Sequence, residues 1–373
     1  MSLPFAPDMP RSEVFCTECA RAYPPDGVPY RCPVCGGLYD FRKALHFDPA
    51  QVDGSQPGIW RYRHTFGLPA DLEPVSLGEG QTPLVWAQVR GRRVAFKCEY
   101  LNPSGSFKDR GSALIIAWLR ARGVAEIVED SSGNAGASCA AYAARAGIRA
   151  RIFVAESASG PKRKQIEAYG AELVPIPGTR DAVAGAVRQA AEAGAAYASH
   201  AYIPFNLPGY ATAAYEIIEQ IGQMPGAVVV PAGQGGLLLG LARGFEALRS
   251  ANKAYAAPAL IGVQARACAP LWAMYTAGEE AAESVADSPT VAEGVRVRHP
   301  LRGRAVLAAV KASRGCVCVA EEDEILPAHA TLARLGFYVE PTSAIVWPAL
   351  AQKLDELPDP VVVILTGSGL KYG

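Results

Sequence analysis

From about residue 94 onward, short β-rich runs alternate with longer helical runs, and this alternation constrains the fold more than any other feature of the chain. Many of the helical runs end at a glycine, which is a common helix stop. Repeated βαβ units predict mainly parallel sheets with helices on both faces. The sequence therefore predicts an α/β fold, and its 373 residues are enough for two domains. The clearest β-rich runs are VAFKCEY, EIVED, ARIFVA, ELVPI, GAVVVPA, ALIGVQA and VVVILTG.

The balance of charge and the pattern of apolar residues exclude several kinds of partner. The chain has 36 Lys and Arg against 36 Asp and Glu, so it lacks the basic surplus that binding of nucleic acid requires. Its longest apolar run, 228–242, is interrupted by a proline, a glutamine and several glycines, and does not have the pattern of a membrane span. No signal peptide is recognisable at the start. We therefore expect a cytoplasmic protein that binds neither nucleic acid nor membranes.

Four of the nine cysteines form two close pairs near the N-terminus. They are Cys16 and Cys19, then Cys32 and Cys35, with twelve residues between the pairs. Two such pairs can close a tetrahedral cage of thiolates around zinc. Two disulfides or two redox dithiols are the alternatives, and disulfides fit poorly with a cytoplasmic protein. Because cysteine fills all four ligand positions, the predicted zinc is structural rather than catalytic.

Lys108 is the first candidate for catalysis. It follows the turn-forming residues of 102–111 (NPSGSFKDRG) and stands in the first turn of a predicted helix. The positive end of the helix dipole disfavours an ammonium group there, which makes a neutral amine easier to form. A neutral amine is the form in which lysine attacks a carbonyl carbon. A solvated surface lysine is the alternative, and the small and apolar residues around Lys108 argue against it.

Three further loops belong to the edge of the sheet where ligands gather in α/β proteins. The run 131–136 (SSGNAG) opens a helix, where free N–H groups suit an anion, although ordinary helix capping is the alternative. The run 231–237 (PAGQGGL) has three glycines that let the backbone wrap a phosphate, although a tight turn is the alternative. In 365–371 (LTGSGLK), the Thr366 hydroxyl can bond a heteroaromatic nitrogen, or the run is a C-terminal turn.

Together these runs resemble the pyridoxal phosphate (PLP)-dependent enzymes of fold type II, the tryptophan synthase β-like family. The resemblance extends from about residue 78 to the end and opens with 78–84 (GEGQTPL). It continues through NPSGSFKDRG, SSGNAGAS, GQGG and LTGSGLK in the order of the family, and the last run is most similar to that of threonine synthases. A four-cysteine ribbon before the catalytic region occurs in some of their relatives.

This resemblance implies two parallel-sheet α/β domains with PLP between them, together with a small N-terminal zinc ribbon. The ribbon is expected in 1–45. The larger, PLP-binding domain is expected in 46–90 and 205–373, and the smaller domain, which carries Lys108, in 91–204. The family resemblance also implies a homodimer that acts on a small amino acid.

The resemblance also implies a role for each matching residue. Lys108 bonds to the cofactor aldehyde and then moves protons as general base and acid. Asn134 contacts the ring oxygen of PLP, and the hydroxyl of Thr366 faces the pyridine nitrogen and leaves it neutral. The residues whose N–H groups are expected to hold the cofactor phosphate are Gly233, Gln234, Gly235, Gly236 and Leu237. The candidates for binding the substrate are Thr82, Ser131, Ser132 and Lys162.

One stretch departs from the family pattern. Threonine synthases that use O-phosphohomoserine usually carry a run like NPxRxEGQKT, and the matching stretch here is 203–212 (IPFNLPGYAT). Asn206 takes the place of the arginine, so a phosphate group loses a charged, two-pronged partner. The basic residues at 162–164 either compensate for this loss or form a solvated first helical turn.

Three functions therefore stay open at this point. The leading hypothesis is a threonine synthase, which converts O-phosphohomoserine and water to threonine and phosphate by β/γ-elimination and replacement. The second is a relative with a non-phosphorylated substrate, such as a serine/threonine ammonia-lyase, which Asn206 and Tyr210 favour. The third is a zinc-ribbon binding protein on an inactive scaffold, and the intact Lys108 and phosphate loop argue against it.

Overall fold

The computed structural model describes residues 13–69, 71–156 and 160–372, so residues 1–12 of the predicted ribbon lie outside the described residues. The described strands are β1 (Val14–Cys16), β2 (Tyr39–Phe41), β3 (Leu84–Val89), β4 (Arg92–Cys98), β5 (Glu126–Glu129), β6 (Arg149–Ala155), β7 (Glu172–Ile176), β8 (Ala196–Tyr197), β9 (Ala227–Pro231), β10 (Ala259–Ala265), β11 (Cys316–Ala320) and β12 (Val361–Leu365). The described α-helices are α1 (Lys108–Ala121), α2 (Asn134–Ala146), α3 (Pro161–Ala168), α4 (Arg180–Glu192), α5 (Leu207–Ile221), α6 (Gly236–Ala251), α7 (Pro270–Ala277), α8 (Gly303–Ala312), α9 (Glu322–Arg334), α10 (Pro341–Ala344) and α11 (Val346–Lys353).

Two larger sheets are formed beside the small β1–β2 pair. The smaller of them has the order β7-β6-β5-β8 and is parallel throughout. The larger has the order β11-β10-β9-β12-β4-β3 and is parallel except for β3, which is antiparallel to β4 at the edge. Every residue of β9 and β12 is buried, as expected for central strands of a sheet covered on both faces. The predicted α/β fold with mainly parallel sheets is confirmed.

The two sheets differ from the predicted domain division at β4. The strands of the smaller sheet lie between residues 126 and 197, inside the predicted smaller domain 91–204. In contrast, β4 pairs with β12 and β3 in the larger sheet. A boundary drawn from the sheets therefore falls after Cys98 rather than at residue 91. Helix α1, which carries Lys108, is the first helix after this crossing from the larger sheet.

Helices α5 and α6 approach each other closely because two glycines of α6 face α5. A Cβ atom at Gly240 would lie 2.5 Å from the Cβ of Tyr210, and one at Gly244 would lie 2.5 Å from the carbonyl oxygen of Ala211. A larger side chain at either position would push the two helices apart. The close approach also places the ring of Tyr210 beside Gly236, the first residue of α6.

The N-terminal ribbon packs against the segment that follows β8. Arg302, just before α8, donates hydrogen bonds to the carbonyl oxygens of both Tyr39 in the ribbon and Tyr202 in that segment (2.8 and 2.9 Å). The ring of Phe205, three residues further along, lies 5.5 Å from the ring of Tyr23 in the ribbon. The ribbon is thus in direct contact with residues that lead into α5.

Within the described ranges, none of the helices combines the length and the apolar character of a membrane span.

Candidate active site

Lys108 is the first residue of α1, as predicted, and the loop before it is held by a buried carboxylate. Asp109 accepts hydrogen bonds from the N–H of Ser104 (2.6 Å), the hydroxyl of Ser104 (2.5 Å) and the hydroxyl of Ser138 in α2 (2.6 Å). The ammonium group of Lys371 donates to the carbonyl oxygen of Ser104 (2.8 Å). These contacts fix the loop and therefore the direction in which Lys108 leaves it.

The amino group of Lys108 makes no hydrogen bond or ion pair with the described residues, and lies 4.8 Å from the centre of the Phe107 ring. Burial lowers the pKa of Lys108 to about 8. The charge of Arg180 acts in the same direction, whereas the charges of Glu129 and Glu340 oppose it. A substantial fraction of Lys108 is therefore a neutral amine near pH 8, the form that attacks a carbonyl carbon.

Thr366 lies directly beside the loop of Lys108. Its carbonyl oxygen accepts a hydrogen bond from the N–H of Phe107 (3.0 Å), and its own N–H donates to the hydroxyl of Ser343 (2.8 Å). The hydroxyl of Thr366 is buried and has no hydrogen-bond partner among the described residues. Because a buried hydroxyl without a partner costs free energy, this group suits a bound ligand.

Asn134 is the first residue of α2 and contacts Glu340, a buried residue that the sequence analysis did not identify. The side-chain amide nitrogen of Asn134 donates to Oε1 of Glu340 (2.7 Å), which leaves its second amide hydrogen available. A Cβ atom at Gly367 would collide with the Glu340 carboxylate and lie 3.0 Å from the amide nitrogen of Asn134. Because Gly367 follows Thr366 in the chain, these contacts bring Asn134 and Thr366 into one site.

The loop between β9 and α6 turns tightly and leaves its N–H groups free. Gly235 has a φ of 77°, which glycine adopts readily, and a Cβ atom there would lie 2.5 Å from the Val306 side chain. The residues whose N–H groups donate no hydrogen bond within the described part of the chain are Gly233, Gln234, Gly235, Gly236 and Leu237. Consecutive free N–H groups at the start of a helix form a cradle suited to a phosphate group.

Ser131 and Ser132, two of the predicted substrate residues, lie in the same loop as Asn134. The hydroxyl of Ser131 accepts a hydrogen bond from the N–H of Gly133 (3.2 Å), and Ser132 is exposed. The structure therefore brings both serines to the start of α2, next to the contact between Asn134 and Glu340.

Lys162 and Thr82, the other two predicted substrate residues, are placed differently. The ammonium group of Lys162 forms an ion pair with Oε2 of Glu340 (2.9 Å), so Lys162 adjoins the site but already has an acidic partner. Thr82 is buried, and its hydroxyl donates to Glu99 (2.6 Å). No hydrogen bond among the described residues joins Thr82 to Asn134 or Glu340.

Asn206, which replaces the expected arginine, is buried close to the loop of Lys108. Its amide nitrogen donates to the carbonyl oxygen of His200 (2.5 Å), and its amide oxygen is buried without a hydrogen-bond partner among the described residues. Tyr210, one turn along, lies with its ring 5.3 Å from the ring of Phe107. This part of the site is therefore polar but carries no charge of its own.

A cluster of ionisable residues near Lys108 is missing from the sequence-based prediction. Glu129 ends β5, and His200 lies against it with Nδ1 3.1 Å from the carboxylate. Asp130 accepts a hydrogen bond from the hydroxyl of Tyr197 (2.7 Å). Two acidic residues directly after an apolar strand were the signal that could have pointed to this cluster, since strand ends in α/β sheets carry ligand sites.

The four cysteines of the ribbon come together as their spacing predicts. Their Sγ atoms all lie within 4.8 Å of one another, with 3.4 Å between Cys16 and Cys35 and 3.7 Å between Cys19 and Cys32. In a tetrahedral zinc site with Zn–S bonds of about 2.3 Å, sulfur atoms lie about 3.8 Å apart. The cluster therefore has the dimensions of a site for one zinc ion.

Comparisons with known proteins identify relatives over most of the chain. Residues 75–367 match the family model described as pyridoxal-phosphate dependent enzyme. Threonine synthase from Methanosarcina acetivorans is 30% identical over 95% of this chain and 91% of its own length. Threonine synthase from Methanocaldococcus jannaschii is 31% identical over 95% of this chain and 92% of its own length.

Solved structures agree with these matches. The T.th. threonine deaminase superimposes with a TM-score of 0.65 at 27% identity, over 78% of this chain and 94% of that chain. Maize serine racemase superimposes with a TM-score of 0.67 at 22% identity, over 78% of this chain and 89% of that chain, which is a likeness of fold alone. The free N–H cradle and the unpartnered Thr366 hydroxyl are groups that PLP would satisfy. The chain therefore belongs to the family of pyridoxal-phosphate dependent enzymes, among the relatives of threonine synthase.

Proposed function

We propose that this chain is a PLP-dependent lyase that works as a threonine synthase, converting O-phosphohomoserine and water to threonine and phosphate. The observation that carries this proposal is the match to curated threonine synthases at 30–34% identity over 84–95% of the chain. The lysine, the phosphate cradle and the buried threonine hydroxyl support it, because a PLP enzyme requires a group of each kind.

We assign the cofactor-binding roles as the resemblance implies them. Bound PLP supplies the electron withdrawal that stabilises negative charge beside the amino-acid carbon. Lys108 attacks the cofactor carbonyl as a neutral amine, and then accepts and returns protons at the substrate. The free N–H groups of 233–237 hold the phosphate, and the Thr366 hydroxyl bonds the ring nitrogen without protonating it. The spare amide hydrogen of Asn134 bonds the ring oxygen.

For the substrate, we propose that Ser131 and Ser132 bind the carboxylate at the start of α2, where free N–H groups favour an anion. Lys162 is proposed to bind the phosphate, for which it must exchange part of its contact with Glu340. The hydroxyl of Thr82 would have to leave Glu99 to reach a substrate, which makes Thr82 the least supported of these residues.

A second candidate function is ammonia release from a non-phosphorylated substrate such as serine or threonine. The observation that favours it is the uncharged Asn206 at the place of the arginine, together with a Lys162 that is already paired with Glu340. A dianionic phosphate gains about 1.5–3 kcal/mol from each charged hydrogen-bond partner, so loss of one weakens binding substantially. The similarity to a threonine deaminase at 27% identity is consistent with this alternative.

The two functions are separated by measuring phosphate release from O-phosphohomoserine and ammonia release from L-threonine and L-serine with the same preparation. For a threonine synthase, we expect phosphate release to dominate, and Lys162→Ala to raise the KM for O-phosphohomoserine about 10- to 100-fold. Lys164→Ala, in the same helical turn but exposed, is the matched control and should leave that KM unchanged. Ammonia release without phosphate release would instead establish the second function.

We also propose that the four ribbon cysteines hold one structural zinc ion. Metal analysis of protein purified under reducing conditions should find one zinc per chain, and Cys19→Ser should lose it. Because Arg302 joins the ribbon to the segment leading to Asn206, removal of the metal should lower the unfolding temperature and raise the KM more than it lowers kcat. Metal-free protein with four free thiols and unchanged stability would contradict this assignment.

The proposed enzyme acts on a small amino acid in the cytoplasm and works as a homodimer. An apolar surface patch supports self-association: Leu370 is 82% exposed, and Tyr338 and Tyr372 are also exposed. Exposed apolar patches of this kind commonly mark contact sites between proteins. Sedimentation of the purified protein tests the oligomeric state.

A further inference from the structure

Glu129 is a buried carboxylate with one oxygen unused. Its side chain is 1% exposed, and its Oε1 lies 3.1 Å from Nδ1 of His200. Its Oε2 is buried and has no hydrogen-bond partner among the described residues. Because such an oxygen costs free energy, a residue kept in this state is a candidate for function rather than for stability.

Lys108, the nearby amine, also lacks a polar partner among the described residues. The two groups do not form a direct ion pair, yet each exerts the largest charge effect on the pKa of the other. Burial raises the pKa of Glu129 to about 8 and lowers the pKa of Lys108 to about 8. Two interacting groups with matched pKa values share a proton at little cost in free energy.

The groups packed around this pair favour a shared proton. Burial lowers the pKa of His200 well below its usual range, so the imidazole is neutral beside Glu129. Burial raises the pKa of Asp130, next to Glu129 in the chain, and the charge of Glu129 raises it further. The positive charge of Arg180, at the start of α4, lowers the pKa of both Glu129 and Lys108.

The remaining groups that face the pair stay protonated or are already paired. Burial raises the pKa of three weak acids, which come from β8, α5 and α2: Tyr197, Tyr210 and Cys139. Glu340, which faces Lys108 from the segment before α10, is paired with Lys162. Glu129 is thus the buried carboxylate with a free oxygen that acts most strongly on Lys108.

We propose that Glu129 is a positioning residue that takes up a proton from Lys108 during turnover and returns it, while His200 holds Glu129 in place. In this step an N–H bond of Lys108 breaks and an O–H bond forms on Oε2 of Glu129. An ammonium and a carboxylate become two neutral groups, which suits a buried position where separated charges are unfavourable. This role rests on the function proposed above, because the demand for protons arises from a reaction at the amino-acid carbons.

The first test does not require turnover. Glu129→Gln keeps the size of the side chain and removes its charge. We measure by absorbance how fast added PLP becomes attached to cofactor-free protein, at a series of pH values. Without the carboxylate, the ammonium form of Lys108 is less favoured, so the midpoint of this pH profile should fall by about one unit. Glu126→Gln, at the more exposed start of the same strand, should not move it. An unmoved midpoint in Glu129→Gln would overturn the proposal.

The second test uses phosphate release from O-phosphohomoserine by the holoenzyme. Glu129→Gln should lower kcat about 100-fold or more, with a KM within about threefold of the original value. Glu129→Asp, which restores the carboxylate, should recover part of the loss and the original pH profile. His200→Gln should change kcat in the same direction by less, and serves if Glu129→Gln does not fold. An unchanged kcat in both variants would contradict the role of Glu129.

The two tests also separate this role from the proposed function. If the original enzyme releases no phosphate, but Glu129→Gln still moves the midpoint of PLP attachment, the proposed function is wrong and the proton exchange between Glu129 and Lys108 stands. If phosphate release is normal and neither readout changes in Glu129→Gln, the function stands and the role of Glu129 is wrong.

Discussion

Lys108→Ala is expected to lower phosphate release from O-phosphohomoserine by about 10²–10⁴-fold or more, and to remove the yellow absorbance of the lysine-linked cofactor. The reason is that the amine of Lys108 has no described polar partner and a pKa lowered by burial to about 8, so it is the amine prepared for attack on a carbonyl carbon. Rate measurements and an absorbance spectrum of the purified variant check both expectations.

Lys164→Ala is the matched control for this change, because it removes an exposed lysine and should alter neither rate nor spectrum. The Lys108→Ala protein should still bind PLP as a free aldehyde, since the free N–H groups of 233–237 are untouched. A Lys108→Ala variant with the activity of the original enzyme would show that another group carries out the chemistry.

Much of the fold could be predicted because its central strands are apolar on both faces. The runs that became β9 and β12 are such strands, and buried parallel strands differ clearly from amphipathic helices. The edge strand β3 was not predicted. It is half exposed and joins β4 through Arg90 and Gly91, which both have positive φ. A two-residue turn of this kind usually contains Asn-Gly, and Arg-Gly does not give that signal.

The candidate site could be predicted only where its residues belong to runs with a recognisable pattern. Glu129, His200 and Glu340 each stand alone in the sequence, and only folding brings them to Lys108. The cause of the lowered pKa of Lys108 also differs from the expected one. The sequence pointed to the helix dipole, whereas burial is the first cause in the structure, with Arg180 adding to it.

Behind Lys108, a buried charged cluster joins α1 to α5 and to the end of β4. Arg110 donates to both oxygens of Glu99 (2.7 and 2.8 Å) and to both oxygens of Glu216 (2.7 Å each). Lys97 also donates to Glu216 (2.7 Å). The side chains of all four residues are at most 3% exposed. One guanidinium thus compensates two carboxylates in the interior, so the cluster tolerates loss of its centre poorly.

Arg110→Met is therefore expected to lower the free energy of unfolding by about 3–5 kcal/mol, because it leaves buried carboxylates without their main partner. The measurement is urea unfolding at pH 7. Arg149→Met, which removes the arginine of an exposed pair with Glu126, is the matched control and should cost at most about 1 kcal/mol. Addition of Glu216→Gln to Arg110→Met should recover part of the loss, since it removes one of the uncompensated charges. A loss below about 1 kcal/mol in Arg110→Met would contradict this view of the cluster.

The pH dependence gives an independent check on the same residues. Burial alone would raise the pKa of Glu216, but the charges of Arg110 and Lys97 overcome it and hold the pKa well below its usual range. A carboxylate with a lowered pKa in the folded state stabilises the protein above the unfolded pKa, about 4.3 for glutamate, and this contribution is lost as the pH falls toward the folded value. In Arg110→Met the pKa of Glu216 rises, so its protonation on folding becomes favourable at low pH. The difference in stability between the original protein and Arg110→Met should therefore narrow as the pH is lowered from 7 toward 4, whereas the small difference for Arg149→Met should change little.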